Sequence, residues 1–145
     1  MTQEDKQLLL VDLCARLPYG VKLLVEGWDS DRDCKFDTVE TLIGIDDRFI
    51  YTIWDKTGDK DKHSIVEPLS ILDYKPYLRP MSSMTDAEYE QYKDEEIFVP
   101  ECEDNYFDCY GSIDWLNAHH FDYRNLLAKG LAISTEEFNP YNSKQ

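Results

Sequence analysis

Five oxygen-bearing side chains between Asp29 and Glu40 form the sharpest chemical pattern in this chain of 145 residues. Asp29, Asp31, Asp33, Asp37 and Glu40 fall at loop positions 1, 3, 5, 9 and 12, the spacing by which a calcium loop wraps a hard cation in oxygens. Position 6 of such a loop needs a glycine for its sharp turn, and here it is Cys34. The flanks, Val21 to Glu26 and Thr38 to Ile45, alternate like strands where the motif requires helices. An acidic hairpin tip accounts for the same residues, and a calcium-binding module stands as the alternative.

Two weaker constellations follow. Asp55, Asp59, Asp61 and His63 offer carboxylates and an imidazole in a polar loop, without a spacing tied to a known coordination geometry. Cys102, Cys109, His119 and His120 are zinc-ligand types, but their spacings match no structural zinc module. Adjacent histidines on a helix also point about 100° apart. There is no Gly-x-Ser-x-Gly elbow, no phosphate-binding glycine loop and no serine or cysteine with a readable base partner. A non-enzymatic protein without a cofactor is therefore expected. A small enzyme whose groups converge from distant positions is the other alternative.

Charge narrows the partners. Thirty acidic residues against fifteen basic ones leave −15. Nucleic acids are bound through Lys and Arg, so direct nucleic-acid binding and anionic membranes are disfavoured, and a protein with a basic surface fits. Much of the excess lies in one segment. Asp86, Glu88, Glu90, Asp94, Glu95, Glu96, Glu101, Glu103, Asp104 and Asp108 are accompanied there by one basic residue, Lys93. Tyr89, Tyr92, Tyr106 and Phe107 interleave with them. Carboxylates beside exposed aromatics suit docking on a Lys/Arg-rich groove, so the twelve residues expected to bind a partner are those ten acids with Tyr89 and Tyr92.

These residues need elements to hold them. The apolar fraction of 42% supports a folded core, and the length fits one α+β domain over 1–138 with a frayed end over 139–145. Thr2 can cap a first helix, with Glu4 and Asp5 in its first turn and Arg16 near its end. Leu9, Leu10, Leu13, Cys14 and Leu17 form its apolar stripe, and Pro18 closes it by disfavouring a helical Leu17. Val21, Leu23 and Val25 alternate along a strand. Val39, Thr41, Ile43 and Ile45 share one face of the next strand, and Phe49, Tyr51 and Ile53 one face of the third, with Asp46 and Asp47 at the turn between them. A fourth strand near Ser64 to Glu67 and a fifth near Ser70 to Tyr74 complete an antiparallel meander of four or five strands, as a curled sheet or small SH3-like barrel. Pro76 to Met84 reads as a linker. A surface helix follows, opened by a Thr85–Glu88 capping box, and then a short strand at Ile97 to Val99. A C-terminal helical pair is expected, capped at Ser112 and Asp122, the second helix ending on Gly130 with Leu131 folded back on Leu126. Cys14, Cys34, Cys102 and Cys109 form no CxxC pair and read as reduced, small apolar side chains. The opening residues carry no basic leader and no apolar run approaches about 20 residues, so a cytoplasmic location is expected.

Three stretches, DLCARLPYGVK from Asp12, LDYKPYLRPMSSMT from Leu72 and DWLNAHHFDYRNLLAKGLA from Asp114, resemble a family of small proteins encoded by Bacteroides-type gut bacteria, their prophages and related phages. The match runs in the same order through both ends and the middle of the chain. The resemblance implies no activity, cofactor or catalytic residue. It implies a cytoplasmic accessory protein, and with it a class of acidic proteins that occupy basic surfaces of other proteins, some by imitating the charge of DNA.

Overall fold

A computed structural model of the chain describes residues 2–54, 63–68, 74–94, 97–98, 107–108 and 110–142. Helix α1 spans Gln3–Arg16 and opens on a reciprocal capping box. The Asp5 amide donates to the Thr2 hydroxyl (3.0 Å), and the Thr2 amide donates back to the Asp5 carboxylate (3.2 Å). Its buried face is Leu9, Asp12, Leu13 and Arg16. The expected stripe is thus rotated, and Cys14 is exposed as a free thiol, as is Cys34. Neither behaves as a small core side chain. Leu17 keeps right-handed helical angles and begins a 3₁₀ turn, Leu17–Tyr19, that carries Pro18 at its start, where a missing N–H costs nothing. Gly20, at φ +66°, then turns the chain into the sheet.

Strands β1 (Lys22–Asp29), β2 (Cys34–Ile45), β3 (Phe49–Trp54) and β4 (His63–Pro68) pair in sequence, each antiparallel to the last. The β2–β3 turn is built on Asp46, whose carboxylate accepts from the amides of Arg48 (2.8 Å) and Phe49 (2.7 Å) and from the Tyr51 hydroxyl (2.5 Å). These bonds hold its pKa below the usual carboxylate range, and they do the work expected of a turn glycine. β5 (Lys75–Leu78) crosses to the far side of β1, and β8 (Ile133–Ser134) joins it in parallel, giving the order β4-β3-β2-β1-β5-β8. The sheet is open and mixed rather than a closed barrel or purely antiparallel meander. Tyr74, Tyr77 and Leu78 are all buried, which places β5 inside the sheet despite Pro76. The segment read as a linker therefore begins with a strand. Of the fifth strand expected near Ser70 to Tyr74, residues 70–73 lie outside the described residues.

The faces of β2 and β3 are the reverse of the apolar pattern. Glu40, Leu42, Ile50 and Thr52 are buried, while Ile43 is exposed. A bulge between Leu42 and Gly44 returns Ile45 to the core side. One core gathers Leu9, Leu13, Val21, Leu23, Leu42, Ile50, Tyr74, Leu78, Leu126 and Leu131. A second gathers Trp115, Leu116 and Phe121, with Met84, Tyr92 and Tyr123 packed against it. Helix α2 spans Asp86–Asp94, and strands β6 (Ile97–Phe98) and β7 (Phe107–Asp108) form a separate antiparallel pair.

Helix α3 spans Tyr110–Ala118, so Ser112 lies within it rather than at its cap. It closes in a Schellman motif: the Phe121 amide donates to the Leu116 carbonyl, the His120 amide to the Asn117 carbonyl, and His120 takes the left-handed position at φ +63°. No second helix of the C-terminal pair forms. Asn125 is left-handed (φ +65°), and the Asp122 carboxylate accepts from the amides of Leu126 and Leu127 (2.9 Å each) in place of backbone carbonyls. Gly130 (φ +72°) and the Leu131 amide on the Leu126 carbonyl complete the closing geometry expected of a helix end, without the helix. Within the end expected over 139–145, Pro140–Asn142 forms a 3₁₀ turn with Pro140 buried, and residues 143–145 lie outside the described residues. Among the described residues no helix is long and apolar enough to cross a membrane.

Asp122→Ala leaves two amides without partners, one of them on buried Leu126. Chemical denaturation is expected to show a loss of roughly 2–4 kcal/mol, with Asp122→Asn losing less.

Candidate functional site

The acidic segment begins on a rigid mount. The Glu88 amide donates to the Thr85 hydroxyl (3.1 Å) and the Thr85 amide to the Glu88 carboxylate (3.0 Å), the reciprocal box read from the sequence. Glu88 then turns to the fold. The Arg79 guanidinium, at the end of β5, grips it with two bonds of 2.7 and 2.8 Å and lies over the Phe121 ring at 4.1 Å. That grip holds the Glu88 carboxyl down to about 2. Tyr92 packs against Trp115 (ring centroids 5.8 Å apart), so α2 is anchored at both its start and its inner face.

What α2 leaves outside is a groove. Met81, Met84, Thr85, Asp86, Tyr89 and Tyr92 line an open cavity of about 330 Å³. Asp86, Tyr89 and Tyr92 recur at three-residue spacing and so share one side of the helix. Tyr89 is 50% exposed and Met81 41%, a high value for such large apolar groups. Glu90 stands exposed next to them and pairs with Lys93 (3.1 Å), whose ammonium lies 5.0 Å from the Tyr89 ring centroid.

The twelve sequence-predicted partner residues therefore divide. Asp86, Tyr89 and Glu90 face outward along or beside the groove. Glu88 is held by Arg79, and Tyr92 packs on Trp115 while also lining the groove. Asp94 ends α2, and Asp108 lies in β7 opposite Ile97. Glu95, Glu96, Glu101, Glu103 and Asp104 lie outside the described residues.

The calcium pattern is not gathered. The residues from Asp29 to Glu40 form the tip and returning strand of the β1–β2 hairpin, with Asp29 opposite Cys34 and Glu40 opposite Leu23. Six steps of the ladder separate those two positions, roughly 20 Å, whereas ligands of one calcium ion lie within about 2.6 Å of it. Asp31 and Asp33 sit in the turn, Asp37 lies partway along β2 opposite Glu26, and Glu40 is only 2% exposed. Glu40 accepts instead from the hydroxyls of Thr38 (2.7 Å) and Thr52 (2.5 Å). Among the described residues no three His, Cys, Asp or Glu side chains are grouped to hold a metal ion. Cys102, Cys109, Asp55, Asp59 and Asp61 lie outside the described residues. His119 stacks on Trp115 (3.9 Å) and its Nδ1 donates to the Trp115 carbonyl (2.9 Å).

A second polar centre had no reading in the sequence. Asp12 and Arg16, both fully buried, pair at 2.7 Å across one turn of α1. Arg16 also donates to the Phe121 carbonyl (2.6 Å), 105 residues away. Asp12 meets a second guanidinium, Arg124, at 3.3 Å. Both arginines lie against the Tyr123 ring, at 5.2 and 5.0 Å, and the Tyr123 hydroxyl donates to Asn117 (2.8 Å). Beside this cluster burial pushes His120 down to about 4, helped by the positive charges of Arg16, His119, Arg79 and Lys22. An Asp and an Arg four apart within an amphipathic helix were the available signal, masked by Cys14 and Leu10, which fill an equally regular apolar stripe.

Comparison of the chain with family models, curated proteins and solved structures finds no match.

Asp12→Ala strands Arg16 in the core and is expected to cost roughly 3–5 kcal/mol, read from denaturant midpoints. The double change Asp12→Leu with Arg16→Met is expected to recover most of that loss. Glu88 has a lowered folded-state pKa, so its contribution to stability is full above about 4.5 and falls as pH drops towards 2. Glu88→Gln is expected to flatten the acid limb of a stability–pH curve across that window.

Proposed function

We propose that this chain is a non-enzymatic protein-interaction module that receives a Lys/Arg-bearing segment of a partner protein in the groove along α2. The observation that carries this reading is the exposure of Met81 and Tyr89 on the same surface as Asp86, in a chain of net charge −15. Apolar walls take the aliphatic stems of Lys or Arg, the face of Tyr89 attracts their charged ends, and Asp86 and Glu90 supply opposite charge at the rim. Lys93 above the Tyr89 ring is an internal example of that chemistry. The Arg79–Glu88 bolt and the Thr85 box hold the groove in shape before a partner arrives, which limits the ordering cost of binding. The setting that fits is an accessory protein of phage or prophage type acting on a basic surface. A polyanion is repelled by the same charge that attracts such a surface.

The probe is a fluorescein-labelled peptide alternating Lys or Arg with Leu, set against its Glu-substituted counterpart in fluorescence polarisation. Only the basic peptide is expected to bind, less tightly as salt rises. Tyr89→Ala and Asp86→Lys are each expected to weaken it about tenfold with the thermal midpoint unchanged. Equal affinity in wild type and both variants sinks the proposal.

A further inference from the structure

The seam between β1 and β5 is short. Leu23 faces Pro76 and Leu24 faces Lys75. One step further along this register Lys22 would face Tyr77. The Tyr141 hydroxyl lies between them instead, accepting from the Lys22 amide (2.9 Å) and donating to the Tyr77 carbonyl (2.8 Å). A side chain from the Pro140–Asn142 turn thus replaces a rung of the ladder. The Asn139 side chain accepts from the Tyr141 amide (2.9 Å) and sets the turn.

The ring of Tyr141 lies flat on His120, centroids 3.6 Å apart and planes 9° from parallel. His120 occupies the left-handed position that closes α3, where glycine or asparagine is the low-cost choice. Its buried Nδ1 makes no hydrogen bond. A strained histidine with an unpartnered nitrogen, kept under a docked tyrosine, marks a place that can exist in two states.

We propose that the Pro140–Asn142 turn is a strap that opens and closes the β1–β5 seam, with the Tyr141 hydroxyl as its catch and the His120 ring as its seat. Closed, it joins the β1–β4 part of the sheet to the unit of β5, β8, α2 and α3 that carries the groove. Open, it frees the Lys22 N–H and the Tyr77 carbonyl and lets water reach His120. Acid favours the open state. The groups facing His120 are Arg16 from α1, Lys22 from β1, Arg79 at the end of β5 and His119 beside it, all positive or able to become so, with Asp12 opposing them from α1 near Tyr141. A proton on His120 is tolerated only once water enters.

Amide hydrogen exchange on the full chain, followed by NMR and corrected for the intrinsic rate at each pH, tests this. The reference is the Leu42 amide, bonded to the Val21 carbonyl in the adjacent ladder. At pH 7, Tyr141→Phe is expected to speed exchange at Lys22 roughly tenfold and leave Leu42 unchanged. In the wild type, Lys22 is expected to lose protection before Leu42 as pH falls from 6.5 to 4, and His120→Phe to remove that pH dependence. Unchanged Lys22 exchange in Tyr141→Phe overturns the strap. So does a wild-type Lys22 amide that exchanges in step with Leu42 at every pH, a measurement that stands whether or not the variants fold. A pH dependence that survives in His120→Phe overturns the role of the proton.

Discussion

Arg16 is the residue on which the fold closes. Its guanidinium is fully buried, neutralised by Asp12 on its own helix and bound to the carbonyl of Phe121. A hydrophobic side chain in its place would fill the volume and bury more cheaply, since a desolvated ion pair regains little more than it costs. What the ion pair adds is direction. The placement of the 120–124 segment gives Arg16 a carbonyl, Asp12 a second guanidinium and Tyr123 two cations at its ring. The pair therefore ties the first helix to the last third of the chain through directional bonds, which a set of leucines would not supply.

The parts of the fold legible in the sequence were those whose partners are close in the chain. The Thr2 cap, the Thr85–Glu88 capping box, the Asp46 turn and the left-handed Gly130 are settled within five residues, and each stands where its residues place it. The misread parts share the opposite property. Helix α1 carries two stripes at helical spacing, and nothing local says that the one containing Asp12 and Arg16 faces inward. Strands β2 and β3 have apolar residues on both faces, so their parity depends on a bulge and on what packs beneath. Asp122 resembles an N-cap, and its carboxylate does take backbone amides, but those of Leu126 and Leu127 rather than those of a first turn. β5 was hidden by its proline, which is harmless to the β1 side because Pro76 pairs with Leu23 at a position whose N–H would point away from β1.

The acidic segment shows the same division at the level of a site. Composition identified where the charge lies and that aromatics accompany it. It could not separate a carboxylate that holds the fold from one that faces solvent, because both are glutamates on one short helix. Glu88 and Glu90 are two residues apart and point to opposite sides, one to Arg79 and one to Lys93 on the exposed face. Among the described residues the groove is smaller than the charged segment, and Met81 and Tyr89 line it together with Asp86.

The parallel pairing of β5 with β8 sets an order of events during synthesis. Strands β1 to β4 meet neighbours already made, so their hairpins can form early. Tyr77 and Leu78 must wait for Ile133 and Ser134 before their outer edge is paired, and β5 is held to β1 by only two residue pairs until Tyr141 arrives. Such distant closures are slow because loop entropy is spent before any contact rewards it. Between the synthesis of Leu78 and that of Ser134 the chain therefore presents a buried-type strand with one open edge, a state in which a nascent protein is exposed to association with others like it.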